Sequence, residues 1–440
     1  MVVFHYLNKA TNLLQMMKNR VLLFIVISLT VIVISGCEDK VVDHYKMNVP
    51  VYLSYEELRS SVDYVNPQII EQTGKIYFKD SLIFLNEPFK GIHIINNTDP
   101  SNPQKTGYIK IPGNIDMAIK NNTLYADSYI DLVAFDISNP DHIREVNRTT
   151  NVFSYTLPGY DKDYQVKEIE RMKGVVTGWE IKKVSKEVKA HTHLPWRVNE
   201  KYSGHFSLGT NSGYGGNFAG NSYGIGGSMA RFSATRNVLY AVKGAFLKIF
   251  DISNAHLPQK KDSITLGQDI ETAFSYNDLL FVGGQNSIRI FDISNALQPV
   301  KLEIFSHVSS CDPVVFDGTY AYSTLREGND CGRTVNRLDV IDLKDHDDPK
   351  LVKSYPMHEP YGLGIDDSTL FICHGEQGLK IYDATDPFQI HSKKSFSNVH
   401  AYDVIPLNGL LILVGDDGLY QYDYSDSNHI EFLSVIPLTR

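Results

Sequence analysis

Cysteine and tryptophan are scarce in this sequence, which has four cysteines and two tryptophans among 440 residues. Cys37, Cys311, Cys331 and Cys373 are too few for a disulfide-rich scaffold. They form no Cys-x-x-Cys pair, which argues against a zinc ribbon and a thioredoxin-like redox site. The chain also lacks a P-loop, a Gly-x-Ser-x-Gly elbow, a His-Glu-x-x-His helix and a dinucleotide fingerprint. These absences exclude the enzyme classes that such motifs mark.

Charge of one sign is also never concentrated. The net charge of −9 is spread along the chain, so we expect no nucleic-acid partner. What is abundant is tyrosine, with 26 copies, within a hydrophobic content of 42%. That composition supports a real core and favours an all-β fold with many half-buried strand faces.

The N-terminal region is typical of an export signal. Residues 21–34 are apolar or small and follow two basic residues. The stretch is shorter than the ~20 residues of a membrane-spanning helix, and its flanks are those of a secretory signal. We predict a signal peptide at residues 1–36, with residues 1–15 upstream of a better start at Met16 or Met17.

The four residues that end this region, Ile-Ser-Gly-Cys, resemble the bacterial lipobox, which implies lipidation of Cys37 and membrane attachment through the lipid. The acidic pair that follows, Glu38-Asp39, resembles the surface-export signal of Bacteroidetes-type lipoproteins; a solvated linker is the alternative. We expect a bacterial outer-membrane lipoprotein that faces either the cell surface or the periplasm. Residues 37–73 are predicted to form a lipid-anchored tether and an N-terminal cap.

One short motif recurs along the chain, in which an apolar strand ends in Asp or Asn and a polar turn follows. Seven copies are present, and most of them are about 41 residues apart. A unit of this length is typical of one four-stranded β-propeller blade. We call the shared residue the slot residue, and it is occupied by Asn96, Asp136, Asp251, Asp292, Asp342, Asp383 and Asp423.

Each unit has the further strands that a blade requires. Two apolar runs joined by a polar turn precede each motif and one run follows it, which predicts four antiparallel strands. The slot residues are predicted to accept backbone N–H groups in the turn after the third strand. The fold class is therefore all-β, a propeller of about seven four-stranded blades over residues 74–438.

Several further stretches carry a resemblance to a known family. They are the FDISN-type repeats, GGSMARF (226–232), CDPVV (311–315), GLGID (362–366) and PVYLSYEELR (50–59). On these stretches the chain resembles the LVIVD-repeat family of bacterial β-propeller lipoproteins. The resemblance implies the fold and an envelope location, and it supplies no catalytic residues.

One interval breaks the period. The step from the second to the third slot residue leaves about 75 extra residues, which places an insertion after blade 2 at residues 153–227. Its second part, 203–227, is rich in glycine. The insertion is either a disordered surface excursion or, as long loops on rigid scaffolds often are, part of a functional site.

Charged residues are predicted to meet where the first strands of the blades begin, at the mouth of the central channel. Counting eight residues back from the apolar start of each second strand gives Gly74, Asp116, Arg231, Glu271, Asp312 and Gly362, and in blade 7 Asp403 lies one position off the count. Gathered carboxylates recruit a cation such as calcium, or bind a cationic or polyhydroxylated ligand. Alternatively, each carboxylate caps a neighbouring backbone N–H. No cofactor is required, and the sequence assigns no catalytic residue and no defined metal ligands.

The two cysteines of blade 5 form a candidate disulfide. Cys311 and Cys331 are expected on the same face, and an exported location permits their pairing. A disulfide that closes the loop of about 20 residues between them would contribute on the order of 3 kcal/mol in the chain-entropy model. Two separate thiols are the alternative. Cys373 is then unpaired and is predicted to be buried in its strand.

Three functions remain compatible with the sequence. The favoured one is a binding module that presents its insertion-bearing face to a glycan, a peptide or an envelope protein. The second is a hydrolase or lyase that uses channel carboxylates such as Glu271 and Asp312 as acid and base. The third is a structural role in envelope assembly. The missing catalytic motifs favour a role without catalysis.

Overall fold

The computed structural model describes residues 15–23, 40–189, 225–228, 230–267, 270–284, 287–306, 313–327, 336–346, 348–426 and 429–439. Four residues singled out above, Cys37, Cys311, Asp312 and Cys331, lie outside them, as do residues 203–224 of the glycine-rich segment. Glu271 lies in a described strand, but its side chain is outside the description.

The described chain forms two compact units. Unit 1 holds residues 15–23, 40–50, 160–169 and 179–189, and unit 2 holds the rest. A helix, α1, spans 15–23. A small sheet has the order β11–β1–β12, formed by Lys40–Leu53 (β1), Gln165–Val166 (β11) and Val175–Lys189 (β12). Among the described helices, none is long and apolar enough to span a membrane.

Unit 1 is held by strand pairing and by one buried amide. Met47 of β1 pairs with Gln165 of β11 in parallel register. The Asn48 side chain, 1% exposed, donates to the carbonyls of Asp161 and Tyr164 at 2.8 and 2.7 Å. The chain that directly follows the predicted anchor therefore belongs to an ordered sheet from Lys40 onward.

Unit 2 is a seven-bladed β-propeller, which confirms the predicted fold class. Each blade is an antiparallel four-stranded sheet with sequential strand order. The strands of blades 1 to 3 are Ile76–Lys79 (β3), Leu82–Glu87 (β4), Gly91–Asn96 (β5) and Gln104–Lys110 (β6); Met117–Lys120 (β7), Thr123–Ser128 (β8), Asp131–Asp136 (β9) and Arg144–Thr149 (β10); and Phe232–Thr235 (β14), Val238–Lys243 (β15), Phe246–Asp251 (β16) and Gln259–Thr265 (β17).

Blades 4 to 7 repeat the same order. Their strands are Ile270–Tyr276 (β18), Leu279–Gly284 (β19), Ser287–Asp292 (β20) and Val300–Ser306 (β21); Val314–Phe316 (β22), Tyr320–Leu325 (β23), Arg337–Asp342 (β24) and Lys350–Pro356 (β25); Leu363–Asp366 (β26), Thr369–Cys373 (β27), Leu379–Asp383 (β28) and His391–Phe396 (β29); and Ala401–Leu407 (β30), Leu410–Gly415 (β31), Gly418–Asp423 (β32) and Glu431–Pro437 (β33).

Burial falls from the second strand of each blade to the fourth. Second strands such as β8 and β15 are buried at every position, whereas fourth strands such as β17 and β25 are mostly exposed. Near-continuous apolar runs are expected for strands that are covered on both faces by neighbouring blades. The apolar cores accordingly lie between blades and include residues of both partners.

The ring closes by packing between blade 7 and blade 1. Ile76 and Ile83 of blade 1 share a buried cluster with Ile405 and Ile412 of blade 7. Beside it, the buried amides of Asn97 and Gln421 donate to each other reciprocally at 2.7 and 2.8 Å. Closure therefore uses apolar area and one matched amide pair, and each end blade keeps its own four strands.

Further elements are added to the blades before and after this ring. A six-residue helix, Tyr55–Ser60 (α2), starts with a capping box between Ser54 and Glu57. Asp63–Val65 (β2) joins the outer edge of blade 1, and Ile225–Gly226 (β13) joins its inner edge. A 3₁₀ turn at Arg171–Lys173 (η1) and β11 to β13 lie in the long interval between β10 and β14, which confirms the insertion after blade 2.

The slot residues cap the turn after each third strand, as predicted. In all seven blades a side-chain oxygen of the slot residue accepts the backbone N–H two residues further on, at 2.7–3.0 Å. Asp383 accepts hydrogen bonds from the side chain of Thr385 and from its backbone N–H. These bonds, the side-chain one most strongly, lower the pKa of Asp383 to about 2. The repeated aspartate is therefore explained by local turn chemistry.

Replacing Asp383 by Ala is expected to lower the free energy of unfolding by about 1 kcal/mol, because the turn N–H loses its acceptor. Asp383→Asn keeps the acceptor, as Asn96 does in blade 1, and should lose less than half as much in urea unfolding. Because the pKa of Asp383 is lower in the folded state, its carboxylate stabilises the fold at pH values above its unfolded pKa. This stabilisation is lost as the pH falls through about 2. The difference between wild type and Asn should therefore shrink from pH 6 to pH 2, and equal losses for Ala and Asn would contradict the capping role.

Candidate functional site

Strand pairing identifies the residues that occupy equivalent places at the channel mouth. Asp116 lies opposite Asp127 of the second strand, and the same register position can be located in every blade by counting from the slot residue. We call these seven positions the mouth ring. Its members are Lys75, Asp116, Arg231, Thr272, Pro313, Gly362 and Asp403.

The mouth ring matches the sequence prediction in part. Asp116, Arg231 and Asp403 hold ring positions, whereas Thr272 and Pro313 replace the predicted Glu271 and Asp312. The count is one residue off in blades 1, 4, 5 and 7, because it starts there from the residue that pairs directly with the slot residue, and in the other blades from the residue after it. In blade 4, a register shift between Ile270 and Thr272 leaves Glu271 outside the ladder.

Lys75 is the ring member that the sequence count missed. It holds the position in blade 1 and is 8% exposed. Its ammonium interacts electrostatically with the carboxyl groups of Asp116 and Asp403. From blade 7 to blade 3 the ring thus reads Asp403, Lys75, Asp116, Arg231, so that acidic and basic residues alternate. Lys75 therefore opposes the rise in pKa that burial causes at both acidic residues.

Asp116 links blade 2 to blade 3. Its side chain is buried, and its two oxygens accept the backbone N–H groups of Met117 at 2.7 Å, Phe232 at 3.2 Å and Arg231. Burial raises the pKa of Asp116 to about 6, opposed first by Lys75 and then by the backbone hydrogen bonds. This carboxyl group therefore caps neighbouring backbone N–H groups, which is the alternative to ligand or cation binding.

Asp403 is the most strongly perturbed acid of the ring. It is fully buried, and one carboxyl oxygen accepts the backbone N–H of Val404. The other, Oδ2, has no hydrogen-bond partner among the described residues. Burial raises the pKa of Asp403 to about 8, although Lys75 opposes the shift. Burial therefore favours the neutral form of the Asp403 carboxyl.

The end of the insertion crosses the inner side of the first blades. Gly226 of β13 pairs with Tyr77 of blade 1, and the Tyr77 ring lies where a side chain at 226 would have to go. The Tyr77 hydroxyl donates to the carbonyl of Phe232 in blade 3 at 2.6 Å, and the carbonyl of Ala230 accepts the N–H of Ala273 in blade 4 at 2.9 Å. The GGSMARF stretch thus joins four blades at the channel mouth.

A second layer of buried polar groups supports the ring. One oxygen of Asp127 accepts the N–H groups of Ile115 and Asp116 and the amide of Asn114, at 2.7–3.1 Å. The other forms an ion pair with Lys243 of blade 3 at 2.8 Å, with both side chains at most 6% exposed. This network fixes blades 2 and 3 to each other with few polar atoms left unsatisfied.

The mouth face of blades 5 to 7 carries a cluster of partly exposed polar and aromatic groups. Arg326 follows the second strand of blade 5, Tyr361 precedes the first strand of blade 6, and His400 and Tyr402 flank the start of blade 7. All four are partly buried. The Arg326 guanidinium lies 4.1 Å from the centroid of the Tyr361 ring. We call these residues, with Asp416, the aromatic platform.

The remaining candidate groups contribute no reactive centre. Cys373 is buried in its strand as predicted and has a free thiol, whose pKa is raised well above its usual value by burial and by Asp403. His374 is also buried, and burial lowers its pKa to about 4. Within the described part of the chain, no three His, Cys, Asp or Glu side chains are placed to hold a metal ion.

Comparison with known proteins supports the fold and does not extend to activity. No family model matches the chain, and no curated protein matches it. A protein from Lactobacillus plantarum is 11% identical, with a TM-score of 0.52 over 83% of this chain and 97% of that one. BamB from Moraxella catarrhalis is 7% identical, with a TM-score of 0.46 over 87% and 97%. At these identities the likeness concerns the fold alone, and the seven sheets make that fold a β-propeller.

Proposed function

We propose that this protein is a lipid-anchored envelope lipoprotein of the LVIVD-repeat type, whose propeller binds a ligand or partner on its channel-mouth face. The observation that carries the proposal is the contrast within that face. Lys75, Asp116 and Asp403 are buried and provide a rigid base, whereas the aromatic platform offers partly exposed rings and charges. A few polar groups on a rigid, partly apolar surface are typical of binding sites.

The two described carboxyls of the ring are poorly placed for catalysis. A general acid or base must come within hydrogen-bond reach of the substrate. Asp116 and Asp403 are at most 1% exposed, and Asp116 is occupied by three backbone N–H groups. These two carboxyls are therefore unsuited to catalysis, and the alternative hydrolase or lyase would use Glu271 and Asp312, whose side chains lie outside the described part of the chain.

Membrane attachment through Cys37 fits the position of strand β1 in the sequence. Two residues, Glu38 and Asp39, separate the predicted lipidation site from strand β1 at Lys40. An anchor so close to a folded sheet would hold the protein near the bilayer without a long flexible linker. Stable anchoring requires more than one acyl chain, which a bacterial lipoprotein N-terminus provides.

The proposal is tested with the full chain expressed in a Gram-negative host. A photoreactive residue at Glu376, exposed in the mouth-face turn of blade 6, should cross-link an envelope component. The matched control is Phe388, 46% exposed in the turn at the other end of the same blade, which should give no adduct. Cys37→Ser should move the protein from the membrane to the soluble fraction, because the acyl chains are lost.

Three results would overturn the proposal or a part of it. Equal adducts from Glu376 and Phe388, or none from either, would remove the mouth face as the binding surface. Membrane fractionation that is unchanged by Cys37→Ser would remove the lipid anchor. Turnover of the cross-linked component by the wild type would replace binding with catalysis.

A further inference from the structure

We infer that the aromatic platform of blades 5 to 7 binds the pyranose rings of a neutral glycan. The inference rests on the proposed function and narrows it to one region of the mouth face and one ligand class. It is carried by the geometry of three rings and of the charged groups around them.

The three rings form one continuous aromatic surface. The centroids of Tyr361 and Tyr402 are 5.2 Å apart with an interplanar angle of 73°, and those of His400 and Tyr402 are 4.7 Å apart at 34°. His400 and Tyr361 are 6.5 Å apart at 79°. Rings that meet at such angles and are each partly exposed form a stepped surface. A puckered sugar ring, with axial C–H groups on one face, packs well against a step of this kind.

Backbone pairing holds these rings in place before any ligand arrives. Gly375 and Ala401 exchange two N–H···O bonds at 3.0 and 3.1 Å and so join the blade 6 turn to blade 7. The carbonyl of Tyr361 accepts the Thr324 hydroxyl at 2.6 Å, and its N–H donates to Cys373 at 2.7 Å. A binding surface that is already ordered avoids the entropic cost of ordering side chains on binding.

Gly375 is required for the close approach of one ring. It has a φ of +52°, and a Cβ there would lie 2.7 Å from the Tyr361 ring and 3.4 Å from Nε2 of His400. Only glycine adopts this conformation readily and leaves the space. The turn of blade 6 therefore brings two rings of the platform to the same point.

The charged groups of the platform match sugar hydroxyls. His400 Nδ1 lies 3.5 Å from a carboxylate oxygen of Asp416, and their side chains are 27% and 32% exposed. Arg326 presents planar donors beside Tyr361 and contacts its hydroxyl at 3.4 Å. Carboxylate, imidazole and guanidinium groups bind vicinal hydroxyls through paired hydrogen bonds.

The charge balance selects a neutral ligand. Arg326 is the one arginine of the platform, and three acids, Glu359, Glu376 and Asp416, lie in or near it; both glutamates act on the Tyr361 ring electrostatically. Burial, the largest cause, raises the pKa of Tyr361, so this ring stays neutral and its hydroxyl remains a donor. An acidic saccharide or a phosphate would meet excess negative charge, whereas a neutral pyranoside would not.

The inference is tested by titrating the detergent-solubilised full chain with neutral oligosaccharides of glucose, mannose, xylose and N-acetylglucosamine, in the presence and absence of salt. Wild type should bind at least one series with weak salt dependence. Tyr402→Ala should weaken that binding at least about tenfold, because a stacking surface is lost. Tyr402→Phe should stay within about threefold, because the ring remains.

The matched control is Tyr320→Ala. Tyr320 is also a half-buried tyrosine with a cation near its ring, Lys344 at 4.9 Å, but it begins the blade 5 strand whose other end precedes Arg326. Its loss should leave glycan affinity unchanged. If Tyr402→Ala does not fold, Arg326→Gln decides, with a loss of at least about fivefold expected from the removal of charge-assisted hydrogen bonds.

Binding unchanged in a folded Tyr402→Ala protein, or unchanged in Arg326→Gln where Tyr402→Ala does not fold, would overturn the inference. So would the absence of binding to every oligosaccharide. If, in that last case, Glu376 still cross-links an envelope protein, the glycan assignment fails and the proposed binding function stands. If neither glycan nor protein is captured, both fail.

Discussion

Replacing Asp127 by Ala should be the most damaging polar substitution in the propeller, with a loss of about 3–5 kcal/mol in the free energy of unfolding. The substitution leaves the Lys243 ammonium, 6% exposed, without its carboxylate. It also removes the shared acceptor of the N–H groups of Ile115 and Asp116. Buried donors and charges without partners carry the full cost of their lost hydration.

A double substitution separates the charge from the cavity. Asp127→Ala combined with Lys243→Met should be more stable than Asp127→Ala alone, because no unpaired charge stays buried. The matched control is the exposed pair Lys350–Asp348, whose side chains are 66% and 60% exposed; Asp348→Ala should change stability by less than about 0.5 kcal/mol. Guanidinium unfolding of the full chain measures all four proteins. A loss at Asp127 as small as at Asp348 would contradict the buried network.

The blades could be predicted because their signals are local. The slot aspartates and the polar residues after them act within two residues of each other, so turn chemistry repeated seven times sets both the number of blades and their strand order. The positions of the mouth ring are harder to predict, and the sequence count misses several of them by one residue. Leu82 and Leu279 are the apolar residues that start their second strands, and each pairs with the slot residue. From sequence alone, such a residue could equally stand one position after the residue that makes this pair.

The long-range pairings left no signal that one sequence could provide. Gly226 pairs with Tyr77 across about 150 residues, and the Asp116 side chain reaches the backbone of Phe232. Such contacts depend on where the insertion returns to the channel, and no local pattern encodes that path. The aromatic platform is similar, since Arg326, Tyr361 and Tyr402 meet only after three blades have packed.

Raising the pH from 5 to 9 should destabilise the wild-type protein more than the Asp403→Asn variant. Burial raises the pKa of the Asp403 carboxyl to about 8 in the folded state, whereas an unfolded aspartate has a pKa of about 4. Between these values the folded protein keeps a proton that the unfolded chain has lost. The contribution of Asp403 to stability is therefore complete below about pH 4 and is lost as pH rises through about 8.

Asparagine resembles the neutral acid in shape and does not ionise, so its profile lacks this loss. The difference in unfolding free energy between the two proteins should change by about 2 kcal/mol or more over the range, and Asp116, present in both, cancels. Asp423→Asn serves as the matched control in blade 7, because hydrogen bonds from Ser425 lower the pKa of Asp423 and keep it ionised throughout. Its profile should run parallel to that of the wild type. A parallel profile for Asp403→Asn would mean that Asp403 is already ionised at pH 5, with Lys75 outweighing burial in setting the charge of the mouth ring.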